Sequence, residues 1–107
     1  MHISSQFDSG NINVVHAKSP EDILLSIPKD NQSEFAQWFH FRLMGETFVT
    51  HKMTIQGLAT SAYPEGWKDY KVLASYDRQT WFRVPTSFDG DNLTFSLTLE
   101  QSSVYFA

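Results

Sequence analysis

Apolar and polar residues alternate with a period of two along most of the chain, a pattern typical of strands that bury one face. In residues 93–99 every second residue, starting with the first, is apolar. Residues 49–56 show the same alternation, except that His51 occupies one of the apolar positions. No window predicts a helix longer than one turn, at residues 31–37. Further alternating runs predict strands at residues 10–14, 22–27, 37–43, 70–76, 80–84 and 103–106.

Turn signals separate these runs. Residues 89–92, Asp-Gly-Asp-Asn, predict a hairpin because Gly90 tolerates the positive φ that a hairpin loop requires. Residues 76–81 predict a second hairpin connection. Roughly eight short strands joined by turns indicate one all-β domain over residues 1–107, an antiparallel sandwich or barrel.

Composition and charge narrow the range of possible functions and partners. Of the 107 residues, 15% are aromatic, which favours strands. The net charge is −4, and acids interrupt the basic residues between Lys68 and Arg83, so we predict no nucleic-acid partner. No stretch approaches the roughly 20 apolar residues of a membrane helix, and the N-terminus has no signal-like run, so we predict no membrane partner. The absence of cysteine fits a cytoplasmic location.

The sequence contains no complete active site. None of the four histidines is followed three residues later by a carboxylate, so the zinc motif His-x-x-Glu is absent. There is no Gly-x-Ser-x-Gly motif and no cysteine nucleophile. Most of the acidic residues lie in turn segments, where solvated carboxylates are expected. A self-contained enzyme is therefore the hypothesis that the sequence favours least.

The aromatic segment at residues 63–70, Tyr-Pro-Glu-Gly-Trp-Lys-Asp-Tyr, leaves two interpretations open. Exposed aromatic rings stack on sugars or peptide side chains, which would make the chain a free-standing carbohydrate- or peptide-binding module. Alternatively, the segment packs over one end of the fold or docks onto another domain.

Several blocks, in order, resemble the start of the M14-type cytosolic carboxypeptidases. The resemblance extends from about Ile3 to Ala107. One departure is the less polar stretch at residues 56–62, where relatives often carry asparagine. The blocks are residues 7–12 (FDSGNI), 37–42 (QWFHFR), 63–70 (YPEGWKDY), 75–78 (SYDR), 81–86 (WFRVPT) and 103–107 (SVYFA).

The resemblance implies an N-terminal antiparallel β-sandwich followed by a larger carboxypeptidase domain. That domain would hold one zinc ion through a His-x-x-Glu pair and a later histidine, and would remove C-terminal residues from peptide or protein tails. None of these catalytic positions has a counterpart here, so we expect the chain to be non-catalytic. The apolar run at residues 104–107 is expected to lead into the peptidase domain.

The sandwich is expected to pack against the peptidase domain and to shape substrate access. Large aromatic residues and arginine anchor buried interfaces, although sequence alone does not separate interface aromatics from core aromatics. The candidate interface residues are Phe7, Trp38, Phe41, Arg42, Tyr63, Trp67, Tyr70, Trp81 and Arg83.

Overall fold

The computed structural model describes residues 1–7, 10–28, 38–60 and 64–107. These residues form ten strands and two short 3₁₀ helices, Leu58–Thr60 and Pro64–Trp67. The strands are β1 (His2–Ser4), β2 (Asn13–Ser19), β3 (Asp22–Ser26), β4 (Phe41–Met44), β5 (Thr50–Ile55), β6 (Leu73–Ser75), β7 (Phe82–Arg83), β8 (Thr86–Phe88), β9 (Leu93–Thr98) and β10 (Ser103–Phe106).

The strands form two five-stranded sheets in a sandwich, which confirms the predicted fold class. The first sheet has the order β1-β4-β10-β6-β7, and all of its strand pairs are antiparallel. The second sheet has the order β2-β3-β5-β9-β8. The two predicted hairpin connections are confirmed, because β6 pairs with β7 and β8 with β9, and Gly90 has a φ of 103°.

The second sheet departs from the antiparallel prediction at one pair, since β3 and β5 run parallel. The chain leaves this sheet after β3, forms β4 in the first sheet, and returns as β5 beside β3. Such a crossover requires a long connection between the two strands, and the sequence pattern does not show where it returns.

Three strands differ most from the sequence prediction. β1 and β8 were not predicted because each is only three residues long and shows no run of alternation. β2 continues to Ser19, well past the predicted end at residue 14. Two register shifts, at Val14/His16 and Ala17/Ser19, break the period of two in this edge strand, so its pattern is not visible in the sequence.

The core lies between the sheets and follows the predicted alternation. Leu93 and Phe95 of β9 are buried, as are Val104 and Phe106 of β10. The rings of Phe41, Phe95 and Phe106 contact one another, with centroids 5.3–6.4 Å apart. The same inward phase buries Ile23, Leu25, Phe39, Phe41, Leu43, His51, Met53, Ile55, Val72 and Ala74.

The turn between β4 and β5 is held against the loop that follows β9. The Gly45 N–H donates to the Ser102 carbonyl at 2.9 Å, and the Phe48 N–H donates to the Leu99 carbonyl at 2.6 Å. A side chain at position 45 would collide with the buried ring of His51, whose Nδ1 donates to the Val49 carbonyl at 2.9 Å. These contacts hold Phe48 at a φ of 63°, and 79% of its surface is exposed.

Candidate functional site at the outer face of the first sheet

Strand alternation in the first sheet decides which side chains point away from the core. In β4, Phe41 and Leu43 are buried, so Arg42 takes the opposite, outer face. Tyr105 of β10 takes the outer face for the same reason. The register places Tyr105 opposite Arg42 on one side and opposite Ser75 of β6 on the other. A row of outward side chains therefore crosses three strands of this sheet.

Four half-buried rings gather around this row. Phe7 lies edge-on to His40, with centroids 5.1 Å apart, and edge-on to Tyr105 at 5.6 Å. His40 is also 6.0 Å from Trp81 and 6.1 Å from Tyr105. These distances are those of attractive aromatic pairs. We call Phe7, His40, Trp81 and Tyr105, together with Arg42 and Arg78, the outer aromatic face.

Arg78 lies against two of these rings. Its guanidinium carbon is 5.3 Å from the centroid of Phe7 and 5.1 Å from that of Tyr105, which is cation–π geometry. The residue has a φ of 63°, a left-handed conformation that a side chain of this size rarely adopts. The loop between β6 and β7 must therefore hold it there.

Ser75 and Asp77 hold this loop. The Ser75 hydroxyl oxygen accepts from the Arg78 N–H at 2.7 Å, and the hydroxyl donates to Asp77 Oδ1 at 3.0 Å. The same carboxylate oxygen accepts from the N–H groups of Gln79 at 2.8 Å and Thr80 at 2.9 Å. The Thr80 N–H is the largest influence that lowers the pKa of Asp77, followed by the Gln79 N–H and the Ser75 hydroxyl. The charged carboxylate thus stabilises the loop that carries Arg78.

Arg42 is also held by its neighbours on the face. Its Nε donates to the hydroxyl of Ser103 at 2.8 Å, and one terminal nitrogen lies 3.1 Å from the sulfur of Met44. The side chain is half-buried. Both arginines of the outer aromatic face are therefore oriented before any partner is present.

The structure divides the nine candidate residues into separate groups. Phe7, Arg42 and Trp81 lie together on the outer aromatic face, and Trp38 is 39% exposed two residues before His40. Arg83 is exposed on β7. Phe41 and Trp67 are 0% and 3% exposed, so both belong to the core. Tyr70 is half-buried beside Trp67, and Tyr63 lies outside the described residues.

The described part of the aromatic segment packs inwards. The ring of Trp67 stacks on Phe39, with centroids 6.1 Å apart and a 26° angle between the planes. Tyr70 meets Trp67 edge-on at 5.2 Å, and burial raises the pKa of Tyr70. Trp67 Nε1 has no hydrogen-bond acceptor among the described residues. Trp67 is therefore not available to stack on a sugar ring.

Sequence reasoning did not select three members of the outer aromatic face: His40, Arg78 and Tyr105. The signal for His40 and Tyr105 was present, because each occupies the phase of its strand opposite to the buried residues. Arg78 had no such signal, since its place over the rings depends on the conformation of its loop.

The described residues contain neither a cluster of metal ligands nor a long apolar helix. Within residues 1–7, 10–28, 38–60 and 64–107, no three histidine, aspartate or glutamate side chains come together as a metal site. The same residues contain no helix with the length and apolar character needed to cross a membrane.

Comparisons with known proteins agree with this architecture. A family model described as the cytosolic carboxypeptidase N-terminal domain matches residues 3–107. A metallo-carboxypeptidase from Burkholderia cenocepacia shares 50% identity and superimposes with a TM-score of 0.90 over 98% of this chain and 28% of that one. A metallo-carboxypeptidase from Pseudomonas aeruginosa shares 44% identity with a TM-score of 0.91, covering 99% of this chain and 28% of its own.

A relative of uncharacterised function gives the same coverage. This protein from Zymomonas mobilis is 39% identical over 107 residues, which are 100% of this chain and 28% of that protein. The chain therefore spans little more than a quarter of the length of the relatives that it matches.

Proposed function

The chain belongs to the family of N-terminal domains of M14-type cytosolic carboxypeptidases, and from this premise we propose that it is the non-catalytic domain of a zinc metallocarboxypeptidase. The peptidase domain would follow residue 107 in the same polypeptide and would remove C-terminal residues from peptides or proteins. Zinc would be held by residues of that domain, because the described residues supply no set of three ligands. The location expected for the parent enzyme is the cytosol.

We further propose that the outer aromatic face packs against the peptidase domain. The observation that carries this proposal is the cluster of Phe7, His40, Trp81 and Tyr105, with Arg78 over two of these rings and Arg42 oriented by Ser103 on the same face. Aromatic residues and arginine are enriched in interfaces, and clustered aromatic anchors supply most of the binding energy. A face of this composition is unusual on a surface that only water contacts.

A domain fixed beside the peptidase would also shape substrate access. A rigid sandwich at the rim of an active-site entrance narrows the directions from which a peptide tail approaches. It would do so without contributing a catalytic group. This role rests on the same docking, so one experiment on the native gene product tests both.

The experiment uses the complete native polypeptide, carrying an engineered protease site directly after residue 107. The intact mass and the zinc content of the uncut protein are measured first. After cleavage, size-exclusion chromatography reports whether the two fragments stay together. Hydrolysis of peptides that differ in length and bulk near their C-terminus is compared before and after the fragments are separated.

We expect a polypeptide three to four times as long as this chain, about one zinc ion per molecule, and co-elution after cleavage. Separation should broaden the range of accepted substrates while hydrolysis of the smallest peptides persists. A native product that ends near residue 107 and binds sugars or peptides by itself would refute the proposal and favour a free-standing module. Fragments that separate at once would refute the docking alone.

A further inference from the structure

Tyr105 is a neighbour of both arginines of the outer aromatic face. Arg42 is its partner across the β4–β10 pair, and the guanidinium of Arg78 lies 5.1 Å from the centre of its ring. Phe7 also contacts Arg78, whose guanidinium carbon is 5.3 Å from the centroid of its ring. Two cationic groups are therefore presented on one apolar surface.

Neither guanidinium has a carboxylate within ion-pair distance among the described residues. The ion pair that this part of the chain contains joins His16 and Asp22 on the second sheet, at 2.7 Å. Asp77 is next to Arg78 in the chain, but its Oδ1 binds two backbone N–H groups and the Ser75 hydroxyl. Most N–H donors of the two guanidinium groups are therefore not paired with acidic groups of the described residues.

The charge of the first sheet differs from that of the chain. The chain carries 12 acidic and 8 basic residues, with a net charge of −4. The five strands of the first sheet nevertheless contain Arg42 and Arg83 and no aspartate or glutamate. Asp77 lies beside Arg78 in the loop, but the strands themselves carry only basic charge, which is electrostatically complementary to an acidic partner surface.

The orientation of Arg78 is built into its loop. A left-handed, non-glycine residue is unfavourable and persists only where its surroundings hold it. Here Ser75 and Asp77 hold the backbone, while Phe7 and Tyr105 hold the guanidinium. A planar guanidinium of fixed orientation matches a carboxylate through two parallel hydrogen bonds.

We propose that Arg78 and Arg42 form a carboxylate-binding site on the outer aromatic face, and that its ligand is an acidic patch on the peptidase domain of the same polypeptide. The inference rests on the proposed function and names the chemistry of the docking partner. The half-buried rings around the arginines favour a permanent occupant over a passing substrate tail, because apolar area that is already arranged for burial is typical of stable interfaces.

The test measures the dissociation constant of the two fragments of the cleaved native polypeptide, with its metal bound. Titrations run from low to high salt, across which the screening length falls from about 30 Å at 0.01 M to about 3 Å at 1 M. The central variant is Arg78→Asn, because asparagine tolerates the left-handed backbone and lacks the guanidinium. Arg78→Lys keeps the charge without the planar fork, and Lys52→Gln, which removes an exposed cation from β5 of the second sheet, is the control.

We expect Arg78→Asn to weaken association by about tenfold or more and to flatten its salt dependence. Arg78→Lys should fall between the wild type and Arg78→Asn, and Lys52→Gln should stay within about twofold of the wild type. Arg42→Gln should also weaken association, and the unfolding midpoint of each separated fragment shows whether the variant is folded.

Equal affinity and equal salt dependence in the wild type and Arg78→Asn would overturn the inference. So would unchanged association combined with a raised KM for peptides with acidic C-terminal residues, because the site would then belong to the substrate. If wild-type fragments do not associate at all, the proposed docking itself has failed. That outcome is separate from an association that persists without Arg78.

Discussion

The outer faces of the two sheets contrast sharply. On the second sheet, the outer residues of β5 and β9 are polar, and two pairs of threonine hydroxyls contact each other across the strands. The hydroxyls of Thr50 and Thr98 are 2.7 Å apart, those of Thr54 and Thr94 are 3.5 Å apart, and Lys52 lies opposite Ser96. On the first sheet, the matching outward strand positions carry Arg42 and Tyr105, and Phe7 and Arg78 from neighbouring loops pack against the ring of Tyr105.

The contrast shows that strand alternation fixes only which residues face outwards. What those residues do depends on their neighbours on adjacent strands. Hydroxyl pairs that are satisfied within the domain leave a surface suited to water. Rings that half-bury one another around oriented cations leave a surface suited to a partner.

The largest effect is expected at Trp67, which belongs to the core that both sheets share. Trp67→Ala should destabilise the domain by about 3–5 kcal/mol, because a large ring stacked on Phe39 leaves a cavity. Trp67→Phe should cost less than about 2 kcal/mol, since it keeps an aromatic ring and removes an N–H without a described acceptor. Chemical denaturation measures both, and a cost below about 1 kcal/mol for Trp67→Ala would place this ring on the surface.

The contrast between the two outer faces is tested most directly by placing one negative charge on each face. Tyr105→Glu should weaken docking in the cleaved native polypeptide by at least about 2 kcal/mol, because a carboxylate replaces a central ring. Ser96→Glu, at the matching outward position of β9, should leave docking unchanged. Fragment association measures both variants, and thermal unfolding confirms that each domain is folded. Equal loss from the two substitutions would remove the distinction between the faces.

Phe48 lies in a turn that connects the two sheets. Substitutions at this position distinguish the effect of backbone strain from an effect on docking. Phe48→Gly should stabilise the domain by about 1 kcal/mol, because glycine adopts a φ of 63° without a steric penalty. Phe48→Ala removes the exposed ring but keeps the strained backbone, so it should give no such gain. Thermal unfolding measures the gain. Weaker fragment association in either variant would extend the docking surface beyond the outer aromatic face.

The smallest effect concerns the acid sensitivity of the Asp77 loop. The pKa of Asp77 lies below its ordinary value of 3.8, chiefly because the Thr80 N–H binds the charged form. A lowered folded-state pKa adds stability that is complete above the ordinary value and is lost as the pH falls through the folded value.

Asp77→Asn should therefore be slightly less stable than the wild type at neutral pH, and the difference should shrink in acid. Asp69→Asn is the control, because no hydrogen bond is described for that exposed side chain. Unfolding midpoints measured from neutral to acidic pH test the prediction. A constant difference across that range would show that the charge of Asp77 does not hold the loop.

Sequence alone determined the fold class, both hairpins, most of the core and the family. Period-two alternation and turn residues are local properties, so residues 22–27, 49–56 and 93–99 were assigned correctly as strands. The strands β1 and β8 were not predicted because they lie outside any alternating run, and the end of β2 was not predicted because two register shifts break its period.

Only the tertiary structure decided which aromatic residues are core and which are surface. Trp67 and Trp81 are alike in the sequence, yet one stacks on Phe39 between the sheets and the other meets His40 outside them. The outer aromatic face joins residues from segments up to 98 positions apart, from Phe7 to Tyr105. Such a surface depends on strand order and register, which are set by the packing of the whole chain and by no local pattern.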